Sequence, residues 1–222
     1  MRTTADENYL KEIYTLELDH DHVTTSMLAE RFGYSPATIT GMLKKLATLE
    51  WVVYEPYQGV TLTEAGRAIA LEVIRHHRLL ETYLAQVLNI PWDRVHDEAE
   101  KLEHVLSEYL EERIDELLGH PSVDPHGSPI PSYNGKIQVS ARLRLSDLSN
   151  GDYAEIVEVN DHDPKLLARL DELNLHPNTR LQVIDVEPID RLIKIRVSGE
   201  IHTLGQNTTG QIFVRKLTVR DR

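Results

Sequence analysis

Residues 23–52, "VTTSMLAERFGYSPATITGMLKKLATLEWV", decide the fold of the first third of this chain. Thr24 or Thr25 can cap a short helix that stops near Gly33, a residue that takes the left-handed conformation at little cost. Tyr34-Ser35-Pro36 then supplies an N-cap hydroxyl followed by proline at the first helical position, so a second helix runs from Pro36 to about Leu49. Two helices joined by a short glycine-containing turn make a helix-turn-helix. The next stretch, "WVVYEPYQGVTLTEAG" (51–66), is rich in β-branched and aromatic residues and is broken by Pro56, Gln58 and Gly59. It reads as a hairpin, which directly after a helix-turn-helix makes a winged helix.

In a winged helix the second helix of the motif enters the major groove, its first residues toward the base edges. Here those residues are Ser35, Pro36, Ala37, Thr38 and Thr40, with Lys44 and Lys45 one to two turns later. Serine and threonine hydroxyls can bond bases or phosphates, Pro36 and Ala37 can meet thymine methyl groups, and the lysines suit phosphates. Upstream, Tyr9, Leu10, Ile13, Tyr14 and Leu16 give residues 6–19 a helical apolar face.

Composition narrows the partners. The 222 residues suffice for one to two domains, and 41% hydrophobic with 27% charged residues reads as a soluble globular chain. No apolar run approaches the ~20 residues that span a bilayer, and "MRTTADENYLKEIY" has no signal-peptide core. With no cysteine there is no disulfide, thiolate metal site or thiol nucleophile. A cytoplasmic protein that makes no membrane contact is expected. The formal charge of −12 opposes generic nucleic-acid binding, which lysine and arginine drive, and suits a cation-binding protein.

Downstream of the wing, Thr63 caps a long helix of roughly residues 63–88. It carries "RHHRLLE", in which His77 and Glu81 are four apart and share a face. After the Asn89-Ile90-Pro91 break, "HDEAEKLEH" (96–104) lies on a helix, or pair of helices, ending near Gly119. At about 100° per residue, His96, Glu100, Glu103 and His104 fall within one sector of that helix, while Asp97 and Glu98 turn to solvent. Asn8, beside Asp6 and Glu7, stands at the start of the first helix. Imidazoles, carboxylates and an amide oxygen suit Mn²⁺, Fe²⁺ or Zn²⁺ far better than Cu(I). Such groups around a metal can also hydrolyse bonds, but the chain has no HExxH, no GxSxG and no glycine-rich phosphate loop.

Residues 119–136, "GHPSVDPHGSPIPSYNGK", read as a linker or extended loop. Beyond it "DYAEIVEVN", "RLQVIDVEP", "LIKIRVSGE" and "GQIFVRKLTV" alternate with period two, and "DPKLLARLDELN" adds one short helix. Several short strands in this span imply a small β-barrel.

Taken together, "YLKEIYTLE", the winged helix, "RHHRLLETYL", "VHDEAEKLEHVLS", "DPHGSPIP" and the β-rich end resemble the diphtheria-toxin-repressor family of metal-dependent regulators, in its manganese-responsive branch. The resemblance covers essentially the whole chain. It implies a winged helix-turn-helix DNA-binding domain over 1–66 and a helical metal-binding and dimerisation domain over 67–120. A proline-rich linker over 121–136 and an SH3-like, FeoA-like all-β domain over 137–222 follow. It further implies a homodimer that binds a palindromic double-stranded operator when loaded with Mn²⁺, with Fe²⁺ as the alternative and no organic cofactor. The primary metal site it implies uses Asn8, Glu100, Glu103 and His104. An ancillary site uses His77, Glu81 and His96 with a carboxylate of the SH3-like domain, Asp163 first, then Asp161 or His162. Iron-responsive members carry Met and Cys at the positions of Asn8 and Glu100; manganese-responsive ones carry Asp and a second Glu at those of Asn8 and Lys11. A metal-independent winged-helix regulator is the rival reading.

Overall fold

The structure, a computed structural model, describes residues 2–137 and 143–218. The start of the expected C-terminal domain, residues 138–142, and its last residues, 219–222, lie outside the described residues. The chain divides into two compact units. One comprises Met1–His77, Leu102–Ser107 and Pro131–Lys136; the other comprises Arg78–Lys101, Glu108–Ile130 and Ile137–Arg222.

The first unit is the winged helix with α1 (Thr4–Glu17) ahead of it. Thr3 caps α1, and the Asp6 carboxylate accepts from the Thr3 backbone N–H in return, closing a capping box. In α2 (Thr25–Phe32) Thr24 Oγ1 accepts from Met27 N, and Gly33 ends the helix at φ +67°. Ser35 caps α3 (Pro36–Thr48) with Pro36 inside its first turn. Strands β1 (Val52–Glu55) and β2 (Gly59–Leu62) pair antiparallel from Val52↔Leu62 to Glu55↔Gly59, forming the wing. Val60 N bonds Val23 O at 2.9 Å, which pins the wing to the strand-like residue before α2. The apolar periods seen in the sequence become the core: Leu10, Ile13, Leu28, Ile39, Leu43 and Leu46 are each fully buried. Tyr9 stacks on Phe32 with ring centroids 4.3 Å apart.

Helix α4 (Glu64–Gln86) starts where Thr63 Oγ1 accepts from Gly66 N. Two shorter helices follow, α5 (Val95–Leu102) and α6 (Glu108–Leu117). The expectation of one unbroken helical stripe over 96–104 fails here: α5 stops at Leu102, and Glu103 and His104 lie in the turn before α6. The Glu103 carbonyl faces His76 Nδ1 at 3.1 Å instead of a helical N–H. Tertiary contacts override a sequence with good helix propensity.

The second unit holds a six-stranded antiparallel sheet. Its strands are β3 (Leu143–Arg144), β4 (Tyr153–Val159), β5 (Arg180–Glu187), β6 (Leu192–Val197), β7 (Glu200–Gly205) and β8 (Ile212–Lys216), in the order β3-β8-β4-β5-β6-β7. Alternating burial in β4 and β6 follows the period-two pattern of the sequence. Leu167 and Leu170 of α7 (Pro164–Glu172) join Ile156, Val183, Ile195 and Ile212 in its core, while Trp92 packs on that core from outside. A one-turn helix, α8 (Gln206–Thr209), links β7 and β8.

The proline-rich segment is not a free tether over its first half. Val159 N of β4 bonds His126 O at 2.9 Å, and a Cβ on Gly127 would stand 2.0 Å from Val157 O. Only glycine permits that approach. Asp124 accepts from His126 N (2.8 Å) and Ser128 N (3.0 Å), folding residues 124–128 into a tight turn against the sheet.

Candidate metal centres

The first unit gathers candidate ligands from α1, the end of its α4 segment and the turn at 102–107. Glu103, 1% exposed, is the hub. Its carboxylate meets Lys11 Nζ at 2.6 Å, His77 Nδ1 at 2.5 Å and His104 Nε2 at 3.1 Å. His104 Nδ1 reaches Glu7 Oε2 at 2.5 Å. Burial penalises the Glu103 charge, but hydrogen bonds from His104 and His77 and the Lys11 charge outweigh it and hold the carboxyl far below its usual range. Burial lowers the His104 pKa, and Glu103 and Glu7 more than reverse that, so the net shift is upward. Asn8 Oδ1 is buried and accepts no hydrogen bond. An orphaned buried amide oxygen, one residue after a glutamate that bonds His104, is a feature a hard or borderline divalent ion satisfies.

Of the primary set expected from sequence, the first unit therefore brings together Glu103 and His104 and leaves Asn8 with an open oxygen. Glu100 belongs to the second unit, half exposed, its carboxylate 4.0 Å from His96 Nε2. Glu7, in the sequence only an acidic neighbour of Asn8, joins this cluster through His104, and His76, 6% exposed, faces the Glu103 carbonyl behind it.

The second unit builds another cluster around Glu81, which is fully buried. His96 Nδ1 lies 3.2 Å from Glu81 Oε1 and 3.5 Å from Asp161 Oδ2. His126 Nδ1 lies 3.7 Å from Glu81 Oε2. One ligand atom each from Glu81, Asp124, His126 and Asp161 falls within 4.8 Å of all the others. His126 Nδ1 and Asp124 Oδ2 are buried with no hydrogen bond. His126 Nε2 faces the Trp92 carbonyl at 2.8 Å, so it donates there and its Nδ1 is the atom presented to the carboxylates. Three carboxylates and an imidazole in one buried space fit a divalent cation and fit poorly without one.

The electrostatics agree. Burial pushes the Asp124 carboxyl up, the Glu81 charge adds to this, and Arg78 only partly offsets it, leaving about 7. Burial lowers His96 and His126, but Asp161 and Glu81 raise the first to about 10, and Glu81 with Asp124 and Asp161 raises the second to about 9. Partial burial raises the Asp161 carboxyl, yet the His96 hydrogen bond holds its net pKa below the usual carboxylate range. Protonated imidazoles thus balance the buried carboxylates of this cluster.

Of the expected ancillary set, Glu81 and His96 meet in this unit, and the carboxylate beside them is Asp161. Asp163 stands elsewhere: it is the N-cap of α7, its Oδ1 accepting from Lys165 N at 2.9 Å. Pro164 at the first helical position explains that use, since Asp-Pro at a helix start is a capping pair. His162 Nδ1 is 3.5 Å from Asp161 Oδ1. His77 begins the same helical turn of α4 that ends in Glu81. Asp124 and His126 were not expected as ligands; the available signal was an Asp and a His two residues apart in a proline-braced turn.

On the DNA-reading helix, Ser35, Pro36, Ala37, Thr38 and Lys44 are exposed and Thr40 is half-buried. Ser35 Oγ accepts from Thr38 N at 3.2 Å, and Thr40 Oγ1 donates to Pro36 O at 2.8 Å. Among the described residues no helix is long and apolar enough to cross a membrane.

Comparison with known proteins matches three family models in series. They are an iron dependent repressor N-terminal DNA binding domain (residues 1–60), an iron dependent repressor metal binding and dimerisation domain (63–132) and a FeoA domain (143–216). The iron-dependent repressor IdeR of Mycobacterium leprae is 30% identical over 95% of this chain and 96% of its own length. The HTH-type transcriptional regulator MntR of Bacillus pumilus is 32% identical over 53% of this chain and 81% of its own. A solved structure described as a manganese-dependent transcriptional repressor in complex with manganese superposes with a TM-score of 0.91 at 38% identity, covering 96% of this chain and 100% of that one.

Proposed function

Because this chain belongs to the iron-dependent (diphtheria toxin) repressor family of metal-dependent DNA-binding transcriptional regulators, which are not enzymes, we propose that its controlling metal is Mn²⁺. The observation that carries the choice is the donor set: carboxylates, imidazoles and one amide oxygen, in a chain that has no cysteine. Hard oxygen-rich sites favour Mn²⁺ over softer ions, and the likeness to a repressor solved with manganese points the same way. Fe²⁺ is the second reading, favoured by the full-length match to an iron-dependent repressor.

We assign two centres. Asn8, Glu103 and His104 hold the ion in the first, joined by Glu7 from the geometry and by Glu100 from the family resemblance. Glu81, Asp124, His126 and Asp161 hold the second, with His96 beside them; His77, placed in the ancillary set by resemblance, contacts Glu103 of the first. A bound divalent ion supplies the positive charge that these buried carboxylates otherwise draw from protons and from Lys11. Glu7 and Asn8 sit at the end of the first turn of α1 and the start of the next, so ligation there fixes the helix that leads into the winged helix. Ser35, Pro36, Ala37, Thr38, Thr40 and Lys44 then read the operator, with a homodimer presenting two such helices to a palindrome in the cytoplasm. Ligation favours the binding orientation only to the extent that the ion binds that state more tightly. Since the ligands must be ionised carboxylates and neutral imidazoles, metal affinity falls as pH drops toward 5 to 6.

Metal counting tests the assignment. The parent chain should bind two Mn²⁺ at equilibrium, while Glu103→Ala and Asp161→Ala should each leave one and the double variant none. One Mn²⁺ lost from neither single variant rejects the ligand sets.

A further inference from the structure

The first turn of α1 faces two ways. Asp6 is fully buried, and its Oδ2 accepts from Thr3 N (3.0 Å) and Thr3 Oγ1 (2.8 Å). Those bonds complete the helix cap and need no partner on another helix. Asp6 Oδ1 nevertheless receives Lys45 Nζ of α3 at 2.5 Å. The very next residue, Glu7, points to His104 at 2.5 Å, and Asn8 follows with its unbonded buried oxygen. Of three consecutive residues, the first therefore bonds the DNA-reading helix, the second bonds His104, and the third holds an unbonded buried amide oxygen.

Exposed ion pairs contribute little, but this one is asymmetric: Lys45 is 47% exposed while the carboxylate it meets is withdrawn from water. Losing the ammonium would strand a buried charge, so the α1 turn and α3 are held in one relation. A shift or loosening of that turn at Glu7 and Asn8 is passed to Lys45 through a single rigid peptide unit, with no loop between.

We propose that the Asp6–Lys45 pair is the joint through which metal occupancy of the first centre orients α3, and that Lys45 is a positioning residue and not a phosphate contact. The proposal rests on the reading that a metal controls operator binding. It concerns coupling, so it separates two quantities that a purely structural pair would move together: metal binding, and the gain in DNA affinity that metal brings.

The test uses the full chain and a duplex that the parent protein selects from a random-sequence pool in the presence of Mn²⁺. Binding to that duplex is measured with Mn²⁺ and with chelator, and thermal melting is measured under the same two conditions. Asp6→Asn and Lys45→Met should keep the Mn²⁺-induced rise in melting temperature yet reduce the Mn²⁺-dependent gain in duplex affinity about tenfold, within the usual span of coupling between sites. Lys45→Arg should restore the gain, and the double variant should be no worse than either single one. If Asp6→Asn does not fold, Lys45→Met, altered at the exposed end, decides alone. An unchanged gain overturns the proposal, as does equal weakening with Mn²⁺ and with chelator, which marks a phosphate contact. Loss of the melting response together with the gain also overturns it, because the pair would then belong to the metal centre. A parent protein that shows no gain with Mn²⁺ removes the metal reading itself.

Discussion

Glu103 shows how one side chain can tie a centre together. It is a buried anion whose three cationic or polarisable neighbours come from α1, α4 and its own turn. Removing one member of a buried charge cluster strands the others. Glu103→Gln in the metal-free chain should therefore lower unfolding free energy by about 3 kcal/mol, read by urea denaturation with chelator present. An unchanged midpoint would mean that the cluster is solvated. The histidines of the other centre give a pH signature with a definite sign. His96 and His126 are raised to about 10 and about 9 from an ordinary 6.5 by their carboxylate neighbours. A folded-state pKa above the unfolded one gives a contribution that is complete below about pH 6.5 and lost as pH climbs through the folded value. The melting temperature of the metal-free chain should thus decline between pH 7 and 10, and His126→Gln should flatten the decline. A parent profile that is flat or rising over that window contradicts the protonated cluster.

Among the elements, the short ones with local signals were legible. Ser35-Pro36, Thr24 and Gly33 mark the ends of α2 and α3 because capping depends on neighbours three residues away. Gly33 sits at φ +67° with open space around it, so only backbone conformation is at stake there. Gly33→Ala should cost about 1 kcal/mol by chemical denaturation, and no loss would show that the turn relaxes into another geometry. Period-two alternation likewise exposed β4, β5, β6 and β8. The strand at Glu200–Gly205 escaped because its burial pattern is weak, with Leu204 as its one buried residue. The helical stripe over 96–104 misled for a different reason. Nothing in those nine letters breaks a helix; the break comes from His76, His77 and Lys11, which are distant in sequence. The carboxylate at Asp161 instead of Asp163, and the candidate ligands Asp124 and His126, depend in the same way on how a proline-braced turn lies along β4. Ligand chemistry was readable from residue types; ligand partnership needed the fold.

At the scale of the whole molecule, a formal charge of −12 must be reconciled with a DNA-binding domain. Polyanion meets polyanion unless the local surface of α3 and the wing prevails and cations reduce the repulsion. The two proposed centres supply a means: each divalent ion would cancel acid charge and, at the first centre, would also fix the turn of α1 that holds Lys45. The proposed switch makes metal a requirement for operator binding and not an accessory to it. The most direct measurement is the affinity of the purified full-length chain for its selected duplex, first with chelator and then with Mn²⁺, Fe²⁺ or Zn²⁺ added. Binding should be weak with chelator and tighten most with Mn²⁺; equal affinity under all four conditions would contradict the metal switch.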